Sequence, residues 1–515
     1  MLQIIHAKPG YSALNCNLFF KPIIETSRKW LLSGQQFFAA LRPFEAGRQS
    51  WYWLIVCVSF LTTFIIWQNA DYTFSEASVR HIWQARQKPF NAFQWLLAPF
   101  AHGGEWAWFF FIALLHIYIA LAFAWVGEKI GIGRINLGLL LLLLNFTLEY
   151  NDFRLEMNPQ LVYACLWLTA VTFFLAMQEH SLIKAFIAWA AWMWFAALFS
   201  AQAVIWALGF PLLFLAWPRH ERWNWRRPFG DREKFLLIYY AIVFFLIALV
   251  PDWRDGVINV VRLMQFQFSR ATLEISLYMS TDQGMSLSTI SAVLIAMLLI
   301  AYKTLLIAGL PLAALLCLSM RAGTASVLNG RVRLFFWFAV CFFWLLNAIN
   351  LLYQGRIHSD IFYIPVLLLL LWLSSNGAYA LIQQWRQPSR KPERRLIALW
   401  LLVAYALASM IQFAPSMGHR REAGLFARAQ AAPVVYANSP QSLFYAGYSP
   451  MPASVDYLEF DTLKYAPRQY LGDKGLYLYS LSRHAQMPPE LKDNFQIAAE
   501  FANRRGDRSF VLQAK

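Results

Sequence analysis

The sequence predicts a mainly α protein: a polytopic transmembrane helical bundle of about 11 to 13 spans, with juxtamembrane periplasmic helices and a small C-terminal α/β domain. Three observations predict this fold class. Of 515 residues, 59% are hydrophobic and only 14% are charged, whereas roughly a quarter of the residues are charged in a soluble protein. The apolar residues fall in repeated runs about as long as a bilayer is thick. The positive charges lie almost entirely on one side of those runs.

Eleven apolar runs follow one another along the chain. A span needs about 20 mostly apolar residues, and the shorter runs are extended by Trp and Tyr at the membrane interface. The run that begins at Trp51 starts too late, and is too aromatic, to be a cleavable signal peptide. The runs cover residues 51–67, 106–125, 135–148, 159–177, 185–200, 204–217, 235–250, 287–319, 334–352, 361–382 and 396–413.

The charges between the runs predict the orientation. The segments on one side carry a net charge of +15 and those on the other side −3, so the positive-inside rule places the first set in the cytoplasm. This orientation requires an odd number of crossings within 287–319, where Lys303 leaves the count open. The surplus of basic residues therefore indicates topology and contact with anionic lipid, and no nucleic-acid partner is predicted.

Three regions follow from this reading. Residues 1–50 are predicted to be an amphipathic segment on the cytoplasmic face, and residues 51–415 the transmembrane domain. Residues 416–515 are predicted to form a periplasmic α/β domain. Alternation of apolar residues predicts strands within 433–437, 475–480 and 509–513, and a helical pattern is predicted around 497–503.

The loop after the first span carries the first candidate site. Asp71, Glu76 and Arg80 lie there among aromatic residues. At helical spacing Glu76 and Arg80 are i, i+4 partners, so a weak surface ion pair is one reading. A carboxylate held at the membrane surface as a general base is the other.

A second charged segment lies at the outer end of the third run. Glu149, Asp152, Arg154 and Glu156 fall within eight residues. Helix capping by Asn158 explains part of this polarity but needs neither Asp152 nor Glu156. Since charges close to the membrane are costly and often functional, a substrate contact is the alternative.

Two later outer segments carry cations. Arg270 lies among charged and aromatic residues in 251–286, as either a lipid-phosphate site or an ordinary interfacial helix would require. Arg356, His358 and Tyr363 lie close together between two spans. Arg356 can pair with a phosphate through its planar guanidinium, or simply extend to the interface.

Taken in order, these features resemble the GT-C superfamily of polyprenyl-phosphate-sugar glycosyltransferases, in particular the aminoarabinose transferases of lipid A and the protein O-mannosyltransferases. Members usually carry an Asp-Glu pair in the first outer loop. Ser75 and Glu76 stand in that place here, so Glu76, or the nearby Asp71, takes the acidic role.

Later segments extend the resemblance. The family's arginine and acid before the fourth span are similar to Arg154 and Glu156. A late arginine followed by Tyr-x-x-Pro is matched by Arg356 and Tyr363, although the proline here comes two residues after the tyrosine. Residues 435–440 resemble the first strand and turn of the family's periplasmic domain.

The resemblance implies a glycosyltransferase that moves a sugar, with inversion, from a polyprenyl-phosphate donor to an extracytoplasmic acceptor. That acceptor is lipid A, another cell-envelope glycan or a protein. Glu76, or Asp71 as the second candidate, is implied to be the catalytic base. The resemblance places the protein in a bacterial inner membrane, with its active site and tail facing the periplasm.

The implied substrate contacts divide by role. Asp152, Arg154 and Glu156 would orient the sugar or the acceptor, and cations would stabilise the departing phosphate. The donor carries one phosphate, so no cofactor is required, and no metal ligand is assigned. Besides those three, the substrate-binding set comprises Arg356, His358, Tyr363, Arg270 and Lys88.

Two other functions fit part of the pattern. An O-antigen ligase or polymerase would share a large outer loop and the pairing of Arg356 with His358. A lipid-linked glycan transporter or flippase would also be polytopic, but would usually show internal repeats and interrupted helices. The sequence identifies neither the sugar nor the acceptor.

Overall fold

A computed structural model describes much of the chain. It describes residues 46–89, 91–147, 150–151, 153–178, 181–200, 202–216, 231–249, 289–321, 330–354, 364–386, 405, 416–450 and 460–515. By its contacts the chain divides into two units, residues 1–54 and residues 55–515. The described part of the first unit is the beginning of a helix, and most of the predicted amphipathic segment lies outside the described residues.

Helices form the larger part of the molecule, and ten of the eleven apolar runs coincide with helices. The eleventh run, 396–413, lies outside the described residues except for Tyr405. In chain order the helices before the tail are α1 (Ala46–Asn69), α2 (Glu76–Gln87), α3 (Ala92–Ala101), α4 (Gly104–Lys129), α5 (Arg134–Asn145), a 3₁₀ turn (Phe153–Leu155), α6 (Pro159–Met177), α7 (Leu182–Ala196), α8 (Gln202–Ala216), α9 (Asp231–Leu249), α10 (Thr289–Arg321), α11 (Gly330–Gln354), α12 (Ile364–Leu373) and α13 (Ser375–Arg386).

The apolar helices make this a multi-pass membrane protein. Within the described ranges, three helices are long and apolar enough to cross a bilayer: Gln49–Asn69 in α1, then α4 and α6. The bent pair α12 and α13, which meet at 42°, makes a fourth if it is one broken span. Other apolar helices are shorter, so the predicted 11 to 13 crossings stay a prediction.

The apolar run 287–319, which the predicted orientation requires to cross the membrane an odd number of times, is interrupted. Gly309 in α10 has φ 77° and ψ 162°, outside the helical region, and Pro311 follows it. A residue without a Cβ adopts a positive φ at no steric cost, and proline removes a helix donor. The sequence therefore breaks the run into two helical pieces.

The tail is a small α/β domain, as predicted. In the described part of the tail, four strands have the order β1-β2-β4-β3, in which β1 and β2 are parallel and the other neighbours antiparallel. Apolar clusters cover both faces, one around Leu478 and Val511 and the other around Tyr477 and Leu512. The elements are α14 (Gly418–Ala429), β1 (Val435–Ala437), α15 (Pro440–Ala446), α16 (Phe460–Tyr465), α17 (Pro467–Leu471), β2 (Leu476–Leu481), α18 (Pro489–Asn494), β3 (Phe495–Ala502) and β4 (Arg508–Ala514).

The helix predicted around 497–503 is wrong, because this segment belongs to the edge strand β3. The Ala-Ala-Glu sequence favours a helix on propensity alone. A tight turn, with Gly506 at φ 89°, returns the chain so that β3 pairs along its length with β4. The hydrogen-bonded ladder outweighs the local preference, and the predicted final strand at 509–513 is confirmed as β4.

Candidate functional site

The first outer loop forms a helix whose first turn holds Glu76. Ser75 caps α2 by accepting a hydrogen bond from the backbone N–H of Ser78 at 3.3 Å. Arg80 Nη2 donates to Glu76 Oε1 at 2.8 Å, so the predicted i, i+4 pair forms. The Glu76 side chain is 46% exposed, compared with 26% for Arg80. The carboxylate is thus both paired and accessible to a substrate.

Asp71 lies in a strained turn between α1 and α2. Asp71 and Tyr72 have φ of 52° and 57°, the left-handed region that residues with a Cβ rarely adopt. The Ser416 hydroxyl donates to Asp71 Oδ2. A Cβ on Gly418 would lie 2.8 Å from the Cβ of Asp71, so glycine permits this approach. The beginning of the tail therefore packs directly on the second candidate base.

A two-bond ion pair joins the tail to the membrane bundle. Arg421 Nε donates to Glu105 Oε1 at 2.6 Å and Arg421 Nη2 to Glu105 Oε2 at 2.7 Å. Glu105 is in the first turn of α4 and Arg421 is in α14. Bonds to Glu105 raise the pKa of Arg421, which stays charged. The Arg421 guanidinium also lies 5.9 Å from the ring of Tyr445.

A buried histidine, His419, lies near enough to Asp71 to interact with its charge. His419 is 3% exposed. Burial, and next the charge of Arg420, lower the pKa of His419 to about 4, although Asp507 and Asp71 favour its charged form. The imidazole is therefore neutral at physiological pH, and its Nδ1 has no hydrogen-bond partner among the described residues.

The first two predicted segments meet through Ser78. Its hydroxyl accepts from the backbone N–H of Met157 at 2.8 Å and donates to the carbonyl of Leu155 at 3.4 Å. Glu156, between them in sequence, is half-buried and accepts from Asn158 at 3.3 Å. The beginning of α2 and the segment that carries Glu156 are thus fixed to one another.

Arg154 is enclosed by protein groups and is 1% exposed. Its guanidinium lies 5.4 Å from the ring of Tyr150, and burial lowers its pKa to about 10, so it remains charged at neutral pH. All three of its nitrogens donate hydrogen bonds, to acceptors on Asn151, Ser59, Thr63 and Asn145. Arg154 therefore ties the 3₁₀ turn to α1 and α5.

The predicted phosphate contact Lys88 lies at the other end of α2. It is the exposed C-terminal cap of this 12-residue helix, about 18 Å along the axis from Glu76 at 1.5 Å per residue. Near this end Arg86 lies 5.2 Å from the ring of Trp108 and 5.1 Å from that of Phe444. Burial, and next the charge of Arg428, lower the pKa of Arg86.

Five predicted site residues lie outside the described part of the chain, so their roles stay predictions. They are Asp152, Arg270, Arg356, His358 and Tyr363. His116 in α4 is fully buried and bonds to the hydroxyl of Tyr150 at 2.9 Å. No cluster of three metal-ligating side chains occurs in the part of the chain that the structure describes.

The sequence did not indicate the tail residues of this site. Ser416, His419 and Arg421 contact or approach the first loop across more than 300 positions of sequence. An acid in the first turn of an apolar helix, Glu105, and an Arg-Arg pair after the last apolar run were the visible signals. Neither pattern states which residue pairs with which.

Comparison with known proteins finds matches in overall fold among solved structures. No protein-family model and no curated protein sequence matches the chain. Among solved structures the chain is similar to the crystal structure of ArnT from Cupriavidus metallidurans bound to undecaprenyl phosphate. The two are 13% identical with a TM-score of 0.37, and the match covers 90% of this chain and 98% of that one. A likeness at this TM-score carries no functional conclusion, so the chemistry must follow from the residues themselves.

Proposed function

We propose that the protein is an integral membrane glycosyltransferase that moves a sugar from a polyprenyl-phosphate donor to an acceptor outside the cytoplasm, with inversion. One observation carries the proposal: the carboxylates of Asp71 and Glu76 lie on one short loop at the end of the bundle where the tail packs. The sequence resemblance assigns the base of this reaction to that loop. Its acidic groups are held by a strained turn, a capped helix and the tail together.

Glu76 is the proposed base. It would take the proton of an acceptor hydroxyl as that oxygen attacks the anomeric carbon and the bond from sugar to phosphate breaks. Its exposure allows an acceptor to reach it, and its position in the first turn of α2 is fixed by the Ser75 cap. Asp71 is the second candidate, since its carboxylate is already bound by the Ser416 hydroxyl.

The other predicted contacts take supporting roles in this proposal. Glu156 is held beside the beginning of α2 and would orient the sugar or the acceptor. The nitrogens of Arg154 donate to protein acceptors, so it would act by fixing that segment. Cations stabilise a departing phosphate. Arg356 and Arg270 are proposed for this role. The proposed substrate-binding set is completed by His358, Tyr363, Asp152 and Lys88.

The charge distribution supports a location. With the positive segments in the cytoplasm, the first loop and the tail face the periplasm of a bacterial inner membrane. Membrane lipids are then the medium in which the donor arrives, and the acceptor is a glycan, lipid or protein of the envelope. Residues 51–415 would be the catalytic transmembrane domain and 416–515 its periplasmic domain.

Replacing the base tests the proposal. Membranes that contain the full-length protein, radiolabelled polyprenyl-phosphate sugar and native acceptors should lose transfer about 100-fold or more with Glu76→Gln. Glu500→Gln is the matched control, because Glu500 is an exposed acid of the tail that pairs with exposed Arg508. Protein amount and thermal stability are measured alongside transfer.

The outcomes separate the candidates. Full activity of Glu76→Gln with loss in Asp71→Asn would make Asp71 the base. Full activity of both variants would overturn the proposed chemistry. Mass spectrometry of envelope glycolipids from a deletion strain and its parent would identify the acceptor, and an unchanged set of glycolipids and glycoproteins would count against transfer.

A further inference from the structure

A cavity of about 180 Å³ lies inside the bundle, far from the first loop. Lys129, the last residue of α4, and Gln178, just after α6, stand at one end of it. Glu105 lies at the opposite end of α4, 24 positions before Lys129, which corresponds to about 36 Å at 1.5 Å per residue. The cavity is therefore separate from the candidate catalytic site.

The cavity is long and narrow. Along α6 the lining residues are Trp167, Val171, Phe174, Leu175 and Gln178, which share one helical face. From the first to the last of them the face extends about 16 Å. A volume of about 180 Å³ spread over this length makes the cavity narrow. This shape fits an extended chain better than a folded headgroup.

The charged and amide side chains of the lining, Lys129 and Gln178, stand at one end. Tryptophan, phenylalanine and aliphatic side chains form the rest of the lining, including the stacked rings of Trp167 and Trp372 at 6.3 Å. Lys129 is exposed, and its Nζ lies 5.7 Å from the ring of Trp125. Its neighbour Glu128 is bound to Arg134 at 3.1 Å. No carboxylate lies within ion-pair distance of Lys129 among the residues the structure describes.

We propose that this cavity binds one acyl chain of an anionic phospholipid, whose phosphate pairs with Lys129. The cavity is bordered by the candidate spans α4 and α6, so lipid is the surrounding solvent and the most abundant source of extended hydrocarbon. A chain in the slot would bury its methylenes against the aromatic walls. A lysine near a membrane surface attracts anionic headgroups. The lipid belongs to the leaflet opposite the candidate site, and the proposal does not depend on the enzymatic activity.

A photoreactive lipid tests this site. The purified full-length protein in neutral detergent is irradiated with phosphatidylglycerol that carries a diazirine at the end of one acyl chain, and the labelled peptides are identified by mass spectrometry. Labels are expected on the cavity-facing side of α6 and on the lining residues of α8 and α12. Phosphatidylcholine with the same chain should label these peptides about fivefold less, as expected for one lysine at a charged lipid surface.

Two variants test separately the charge of Lys129 and the space inside the cavity. Lys129→Gln should lower labelling by phosphatidylglycerol about fivefold, whereas Lys184→Gln, an exposed lysine near the N-terminus of α7, should leave it unchanged. Ala339→Leu adds bulk to the lining and should remove labels beyond it, with thermal stability measured for folding.

Three results would overturn the proposal. One is labelling spread evenly over lipid-facing positions, and another is labelling that neither Lys129→Gln nor Ala339→Leu changes. The third is displacement of the probe by unlabelled polyprenyl phosphate at concentrations where unlabelled phosphatidylglycerol has no effect, since the occupant would then be a different lipid.

Discussion

Arg421 of the tail holds both carboxylate oxygens of Glu105, at 2.6 and 2.7 Å, although the two residues are 316 positions apart in sequence. The side chains are about one-quarter exposed, so water screens the pair only in part. Glu105 begins α4 next to the turn between α3 and α4. The pair therefore fixes the position of the tail over the same loop that holds Asp71 and Glu76.

We expect Arg421→Gln to loosen this docking. The variant leaves Glu105 without its two charge-assisted bonds, at a cost on the order of 1 kcal/mol for a partly screened pair. Limited proteolysis should then cut near the junction at 416–417 faster, and transfer should fall with it. Arg508→Gln is the control. Arg508 pairs with Glu500 at 3.4 Å, and both side chains are exposed. This pair joins two strands of the same sheet.

Exchanging the charges of Glu105 and Arg421 tests whether the ion pair itself holds the tail in place. Glu105→Arg combined with Arg421→Glu should recover part of the protease resistance that either single substitution loses, as coupled neighbours do in double-mutant cycles. If Arg421→Gln digests at the same rate as the unmodified protein, the pair does not hold the tail in place.

We expect Gly418→Ala to displace Asp71. The new Cβ would lie 2.8 Å from the Cβ of Asp71 and 3.1 Å from its Oδ2, closer than side chains tolerate. Because small displacements of catalytic groups are costly, transfer should fall about tenfold or more. Gly133→Ala is the matched control, since that glycine has φ −65° and nothing within 4 Å of an added Cβ. Equal transfer by both variants would contradict a role for the approach of Gly418 to Asp71.

We expect Arg154→Lys to destabilise the protein in spite of its retained charge. A lysine has no planar fork and cannot reach acceptors on Asn151, Thr63 and Asn145 together. Buried acceptors would lose their partners, at about 1 to 3 kcal/mol for each one left unmet. Thermal unfolding in detergent measures the loss. Arg134→Lys, an exposed arginine, should keep its melting temperature within the error of the measurement.

The sequence predicted the parts of this fold that depend on composition and local spacing. Ten of the apolar runs located helices, and i, i+4 spacing predicted the bond between Glu76 and Arg80. Asn158 also caps α6, as the pattern indicated. Each of these features is decided within a few residues, where hydrophobicity and backbone geometry are sufficient.

Features that depend on distant segments could not be predicted in this way. The pairing of β3 with β4 overrides the helical preference of 497–503. The contact of Ser416 with Asp71 and the pairing of Arg421 with Glu105 depend on where the tail docks, and no local pattern encodes that. Arg154 was predicted to contact substrate, and this stays a prediction. Its guanidinium donates to four protein acceptors, and a guanidinium held by protein has the same sequence signal as one that binds a ligand.

We expect His419 to make the stability of the docked tail depend on pH. Its folded pKa of about 4 lies below the ordinary value of 6.5, chiefly because the ring is buried and next because Arg420 is close. Between these two values the unfolded chain holds a proton that the folded chain does not. Stability must therefore fall as the pH is lowered from about 6.5 towards 4, and the full contribution is present above 6.5.

Melting temperatures at intervals from pH 7.5 to 4.5 measure this effect. His419→Phe has no group to titrate at this position, so its melting temperature should decline less steeply over the same window. Exposed His484, which follows β2 in the chain, provides the control, and His484→Phe should keep the slope of the unmodified protein. Parallel slopes for all three proteins would mean that the neutral His419 ring does not contribute to acid sensitivity, which would then come from carboxylates such as Asp507.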